Sequence, residues 1–164
     1  YCRTYCRMYI DFNQLPENSR LWIYGSSRII HEEDKVKIHK IIFPFLQNWQ
    51  HHGKTLSCSY TILNNHFLIV GLDETINPTG GCSMDGLQNI ILKIDHNFNF
   101  NFFERLNVFL FLKNEVKCIS SKDLNQINDV DQNSLIFNLN IEKKKDINSW
   151  LIPIRDSWCK RFLN

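Results

Sequence analysis

The sequence contains no alanine, no strong excess of either charge, and no apolar run as long as the roughly 18–20 residues of a membrane span. The missing run argues against a transmembrane helix. A net charge of +2 argues against a partner recognised by charge alone, such as nucleic acid or an anionic membrane. We attribute the missing alanine to an AT-rich genome, so single surface asparagines or lysines carry little functional meaning. No signal peptide opens the chain, and we expect a cytoplasmic protein.

The composition is otherwise that of a folded domain. The chain has 164 residues, 43% hydrophobic and 13% aromatic, which is enough to bury a core within one domain. We expect a single α+β domain over residues 8–164 and an upstream or disordered extension over residues 1–7. Cys2 and Cys6 lie in that extension, and no second ligand pair matches their spacing. The other four cysteines are scattered among apolar neighbours, as buried thiols of a reducing compartment are.

The order of the elements predicts the fold. Short strands are expected at 21–24, 56–62, 66–72, 107–112 and 115–119, with Asn64-Asn65 and Lys113-Asn114 as hairpin turns. One helix is expected from Glu32 through Pro44 to a stop at Gly53, because apolar residues recur in phase on both sides of the proline. A second is expected over 83–95, followed by an aromatic connector that packs on the sheet.

This β-α-β-β-α-β order is that of a ferredoxin-like core with an antiparallel sheet. A C-terminal α/β extension should follow, with helices at 121–128 and 142–150 and a strand at 134–139. The run of lysines at 143–145 is expected to form the solvated face of the last of these helices.

The turn before the second predicted helix is the candidate functional site. Gly80 and Gly81 free the backbone to turn, and Cys82, Ser83 and Asp85 follow at once. Ser83 is the expected N-cap, with Asp85 in the first helical turn. The first turn of a helix has free N–H groups and a positive dipole end, which attract anions and lower the pKa of a thiol. We therefore predict an anion site at residues 80–83, with Cys82 and Asp85 as the catalytic candidates if the protein is an enzyme.

Other chemistries have weaker support. Gly53-Lys54-Thr55 resembles part of a P-loop, but Asn48 stands where the earlier glycine is needed, and a helix precedes instead of a strand. His51, His52 and His66 lack acidic residues at metal-ligand spacing, so we expect no metal. Residues 21–25 resemble the first-strand motif of RNA-recognition domains, whereas residues 66–72 lack the basic and aromatic pattern of their third strand.

Several blocks together resemble a known family. They are Leu15-Pro16, the run 19–24 with Ser27-Arg28, residues 81–85, residues 136–138, and the ending with Trp150, Pro153 and Trp158. This pattern is similar to a small, uncharacterised Bacteroidetes-type family whose members are often labelled "ABC transporter ATPase". The resemblance covers the chain from Met8 onward. The sequence has no Walker A, Walker B or signature motif to support ATP hydrolysis, and Cys159 replaces a histidine of the family's ending.

We therefore expect a non-catalytic binding or interaction module. Its partner would be another protein or a small anionic ligand at residues 80–85, with no cofactor, no membrane and no nucleic acid. Two alternatives stay open at this point. One is an enzyme that uses Cys82 as a nucleophile or redox thiol, and the other is an RNA-binding module.

Overall fold

The computed structural model describes residues 9–51, 53–75 and 80–163, and in those ranges it leaves out the side chains of residues 51, 54, 55 and 82. The predicted extension over 1–7, with Cys2 and Cys6, lies outside the described residues. Helices and antiparallel sheets are combined, which confirms the predicted α+β class. The strands are β1 (Arg20–Gly25), β2 (Gln50–His51), β3 (Lys54–Thr55), β4 (Ser57–Leu63), β5 (Phe67–Asp73), β6 (Asn107–Leu112), β7 (Glu115–Ser120), β8 (Leu135–Phe137) and β9 (Leu151–Pro153), and the α-helices are α1 (Glu32–Gln47) and α2 (Gly81–Phe98).

The first sheet has the strand order β1-β5-β4, and both of its pairings are antiparallel. Strand β5 lies at the centre, and its residues from Phe67 to Leu72 are buried, as its continuous apolar run predicts. The turn before it contains Asn64 and Asn65, which take the predicted positive φ angles of 52° and 53°. Leu63 pairs with Phe67, so the connection has three residues and includes His66, instead of the two residues predicted.

Helix α1 continues across Pro44, as its apolar spacing predicts, but it ends earlier than expected. The helix stops at Gln47, and Gly53 (φ 74°) lies instead in the turn between β2 and β3. Two side chains account for the early end. Asn48 Nδ2 donates to the Pro44 carbonyl (2.8 Å), and Trp49 leaves the helix to bury its indole. Gly53-Lys54-Thr55 therefore does not have the strand-loop-helix context of a P-loop.

Helix α2 begins at Gly81 and confirms the helix predicted over 83–95. Its N-cap is Gly80, so the expectation that Ser83 caps the helix is wrong. Because the helix starts two residues earlier, Asp85 lies beyond the first turn. Leu87, Ile91 and Ile94 are fully buried at helical spacing and pack with α1 on one face of the first sheet. The helix ends at Phe98, and its C-cap residue Asn99 has a φ of 55°.

Strand β6 does not join the first sheet. In a four-stranded split βαβ sheet the last strand lies beside the first, whereas here β6 starts a second sheet with the order β7-β6-β8-β9. The reason is that β6 is apolar on both faces and needs cover on both. Phe109 packs with Phe67 of the first sheet (ring centroids 5.2 Å apart), and Leu110 is buried on the opposite side. A place at the edge of the first sheet would leave one of these faces poorly covered.

The C-terminal part covers the outer face of the second sheet with short 3₁₀ helices instead of the α-helices expected at 121–128 and 142–150. This layer contains the 3₁₀ helices Ser121–Gln126, Ile154–Asp156 and Trp158–Phe162. The 3₁₀ helix Lys144–Ser149 lies elsewhere, because its Ile147 packs with Phe67 and Trp150 in the cluster between the two sheets. Lys144 also departs from the expected solvated face, because it is only 9% exposed. The second sheet thus lies between the first sheet and a layer of irregular structure that contains buried Leu124, Ile154 and Cys159.

Candidate functional site

The predicted site lies at the N-terminus of α2, as the sequence indicates. Gly81 is the first residue of the helix and is exposed, and an added Cβ there would meet no atom within 4 Å. Cys82 is the second residue of the helix, but its side chain lies outside the description. Asp85 is exposed. The roles predicted for Cys82 and Asp85, and the anion site at Gly80 and Gly81, therefore stay predictions.

Ser83 is used differently from the prediction. It is 6% exposed, and its hydroxyl donates to the Gln50 carbonyl at 2.9 Å. The indole Nε1 of Trp49 donates to the Ser83 carbonyl, also at 2.9 Å. These bonds join the start of α2 to the segment that follows α1. They explain why a serine stands here without a capping role, and the Ser83 hydroxyl points to the backbone of Gln50.

The histidines do not form a metal site in the part of the chain that the structure describes. His66 is 7% exposed, and its Nδ1 lies 3.0 Å from the Asn64 carbonyl in the same hairpin turn. The side chain of His51 and all of His52 lie outside the described residues. Among described residues, no three His, Cys, Asp or Glu side chains are grouped closely enough to hold a metal ion.

The described thiols do not have the chemistry of nucleophiles. Burial raises the pKa of Cys58 to about 12 and that of Cys118 to about 11. Burial also raises the pKa of Cys159, although a hydrogen bond with Ser157 partly opposes the shift. Since the thiolate is the reactive form, burial lowers the reactivity of these thiols near neutral pH.

The sheet face that RNA-recognition domains leave open is covered in this protein. Leu21, Phe67 and Ile69 point to that side of the first sheet and are buried against Phe109 and Trp150. Base stacking needs exposed aromatic rings on this face. The geometry therefore does not support RNA binding through the first sheet.

A concave feature that the sequence did not predict lies elsewhere, at the outer edge of β1. We call it the β1 cleft, and it has a volume of about 590 Å³. Strand β1, the connector after α2, the second sheet and the C-terminal 3₁₀ helix each contribute to its walls. The residues that matter below are Tyr24, Phe103, Asn107, Leu139, Asn140 and Trp158.

Exposed aromatic rings stand at the rim of the β1 cleft. Phe103 is 37% exposed and Trp158 is 41% exposed, and both line the cleft, whereas other exposed large apolar side chains such as Ile29 and Val36 lie outside it. The ring of Tyr24 lies 6.1 Å from the ring of Phe103 and packs against the core cluster that contains residues of α1 and α2. Burial raises the pKa of Tyr24 to about 12, and a protonated tyrosine hydroxyl can donate a hydrogen bond. With the amides of Asn107 and Asn140, the cleft combines apolar walls with a few polar groups, as ligand sites do.

Sequence reasoning missed this cleft because its walls come from four distant segments. The aromatic connector was one available signal, and its predicted packing role is partly right. Phe100 is fully buried and Phe102 is nearly so, whereas Phe103 faces the cleft. The four phenylalanines of residues 97–105 show no local pattern that separates these roles.

Within the described residues, no helix is both long enough and apolar enough to cross a bilayer. Comparisons of the chain with protein-family models, with curated proteins and with solved structures found no match.

Proposed function

We propose that this chain is a non-catalytic binding module and that its ligand occupies the β1 cleft. The observation that carries the proposal is the pair of exposed rings, Phe103 and Trp158, on an open cleft of about 590 Å³. This volume is within the range of about 300–1,000 Å³ that is typical of ligand sites. Aromatic rims of this kind gain binding free energy when a ligand removes them from water.

The groups around the cleft favour binding over catalysis. Glu104 and Arg105 are the charged residues on its wall, and both are exposed to solvent. Exposed side chains such as these are not desolvated as a general acid or base usually is. Because these two charges are opposite, the rim also favours an uncharged ligand over an anion.

The test is a two-dimensional ¹H–¹⁵N NMR titration with a mixture of small aromatic and aliphatic amides. We expect shifts at Tyr24, Asn140 and the indole N–H of Trp158. Shifts confined to residues 80–85 would instead favour the anion site, and no shift with any compound would contradict the proposal.

A pair of variants distinguishes specific binding in the cleft from nonspecific binding to exposed apolar side chains. Trp158→Ala removes a rim ring, whereas Leu135→Ala removes a side chain of similar exposure (38%) outside the cleft. Trp158→Ala should weaken binding and Leu135→Ala should not. Equal weakening would mean that the ring is not part of a site.

A further inference from the structure

Strand β1 is an edge strand, and its outer edge is paired only at its beginning. The Ser19 carbonyl accepts from the Lys144 N–H, and the Leu21 N–H donates to the Glu142 carbonyl, each at 2.9 Å. These two bonds form an antiparallel bridge between Arg20 and Lys143. They also show which residues of β1 direct their backbone groups to the outer edge, because the N–H group of Leu21 points away from β5.

Alternate residues of a strand direct their backbone groups to opposite edges. The N–H and C=O groups of Ile23 and Gly25 therefore face outward, as those of Leu21 do. Across from Ile23, the chain segment that includes Asn140 turns away, and the Asn140 N–H is bonded to the Asn138 side chain (3.0 Å). Within the described ranges, no backbone hydrogen bond reaches the outward groups of Ile23 or Gly25.

Concave space runs along this unpaired edge. The β1 cleft includes Ile23, Tyr24 and Gly25 in its wall. A second groove of about 390 Å³ extends toward Arg20, and it shares Ile23, Tyr24 and Asn140 with the cleft. Both concave spaces thus border the unpaired edge, where Ile23 is partly exposed and Gly25 is buried against Phe109 and Leu139. We refer to the two spaces together as the β1 channel, and unpaired edges of this kind accept a further strand.

We infer that an extended segment of a partner protein occupies this channel and adds to β1 as a strand. The inference rests on the proposed function and names the ligand class. Outward N–H and C=O groups repeat at Ile23 and Gly25 with the spacing of a strand, and only another extended backbone matches both pairs at once. The existing bonds to Glu142 and Lys144 already use this edge in the same way.

The walls indicate which side chains the segment carries. Successive side chains of a docked strand face opposite sides. One set would contact Phe109 and Leu139 on the side of the second sheet, and the other would contact Tyr24 and Phe103. The segment should therefore be apolar and uncharged at its centre.

The experiment uses the full chain and a pool of acetylated, amidated hexapeptides in which threonine alternates with valine, leucine or phenylalanine. NMR and amide hydrogen exchange report binding. We expect shifts and slower exchange at the N–H groups of Ile23 and Gly25. Methylating one alternate set of peptide amides should weaken binding about tenfold or more, and methylating the other set should leave it nearly unchanged. Equal effects of the two sets would overturn the inference.

Two proline variants provide a matched control within the protein. Ile23→Pro removes an outward donor from β1, and Ile62→Pro removes one from β4, the opposite edge of the sheet. Only Ile23→Pro should abolish peptide binding. If that variant fails to fold, the methylated peptides still test whether a peptide pairs with the outer edge of β1.

The other possible outcomes distinguish failure of this inference from failure of the proposed function. Small amides that shift the cleft while no peptide does would overturn this inference and leave the proposed function standing. No shift with either class would overturn both. Protection of the Ile23 N–H that rises with protein concentration, without peptide, would identify a second copy of the chain as the occupant and overturn the inference.

Discussion

The strongest prediction for stability concerns Lys144, the buried member of a three-lysine run. Its ammonium group donates to the carbonyls of Leu15 (2.6 Å) and Asn13 (3.1 Å), and its side chain is 11% exposed. These carbonyls end the 3₁₀ helix Phe12–Gln14, which packs across the first sheet. Lys144 thus ties the N-terminal segment to the C-terminal part of the chain.

The change Lys144→Met keeps the apolar stem and removes the charge. Hydrogen bonds to a charged group contribute about 1.5–3 kcal/mol, and the Leu15 carbonyl would be left buried without a donor. Glu17, 3.7 Å from the ammonium group, is 69% exposed and adds little. Removing the buried charge offsets part of the loss. We expect the free energy of unfolding to fall by about 2–3 kcal/mol, which is roughly 5–10 °C in Tm at this chain length.

The assay is urea unfolding followed by tryptophan fluorescence, with thermal unfolding as a second measure. The control is Lys145→Met, since Lys145 is adjacent in sequence and exposed. That change should stay within about 0.5 kcal/mol of the parent. Equal losses in the two variants, or a loss below about 0.5 kcal/mol for Lys144→Met, would refute the reasoning.

Three further predictions follow from the packing and the charges. Gly25→Ala should destabilise by about 1–3 kcal/mol, because the new Cβ would lie 2.4 Å from the ring of Phe109, and Phe109→Leu in the same chain should restore part of the loss in urea unfolding. A hydrogen bond from Arg28 lowers the pKa of Asp34, so the carboxylate stabilises the fold above the ordinary pKa and that stability is lost as pH falls through the lowered value. Asp34→Asn should therefore flatten the stability loss measured below about pH 4. Iodoacetamide at pH 7.5 should modify Cys58 at least tenfold more slowly than a free thiol, because burial raises its pKa.

Each of these predictions has a control. Gly81→Ala should be neutral or slightly stabilising, since its Cβ meets open space. Asp123→Asn, at an exposed carboxylate, should leave the acid limb of the stability curve unchanged. Alkylation in urea should make Cys58 react like a free thiol. Rapid reaction of Cys58 in the folded protein would contradict the buried position of its thiol.

Local patterns were sufficient for much of the secondary structure. Helix α2, the strand β5 and the two hairpin turns follow from apolar periodicity and from residues that tolerate positive φ, and both signals act within a few residues. Lys113 and Asn114 indeed take φ angles of 51° and 62°. The glycine pair before α2 was also located correctly, although the helix begins two residues earlier than expected.

Long-range contacts determined the rest. Strand β6 joins the second sheet because both of its faces need cover, and no window of sequence shows what is available to cover them. Lys144 is buried because carbonyls about 130 residues away accept from it, and Ser83 leaves the capping position because Gln50 accepts from it. The β1 cleft arises in the same way, from the edge that β6 does not occupy. A periodic pattern reports which face of an element is apolar, whereas the partner of that face is settled only when the whole chain packs.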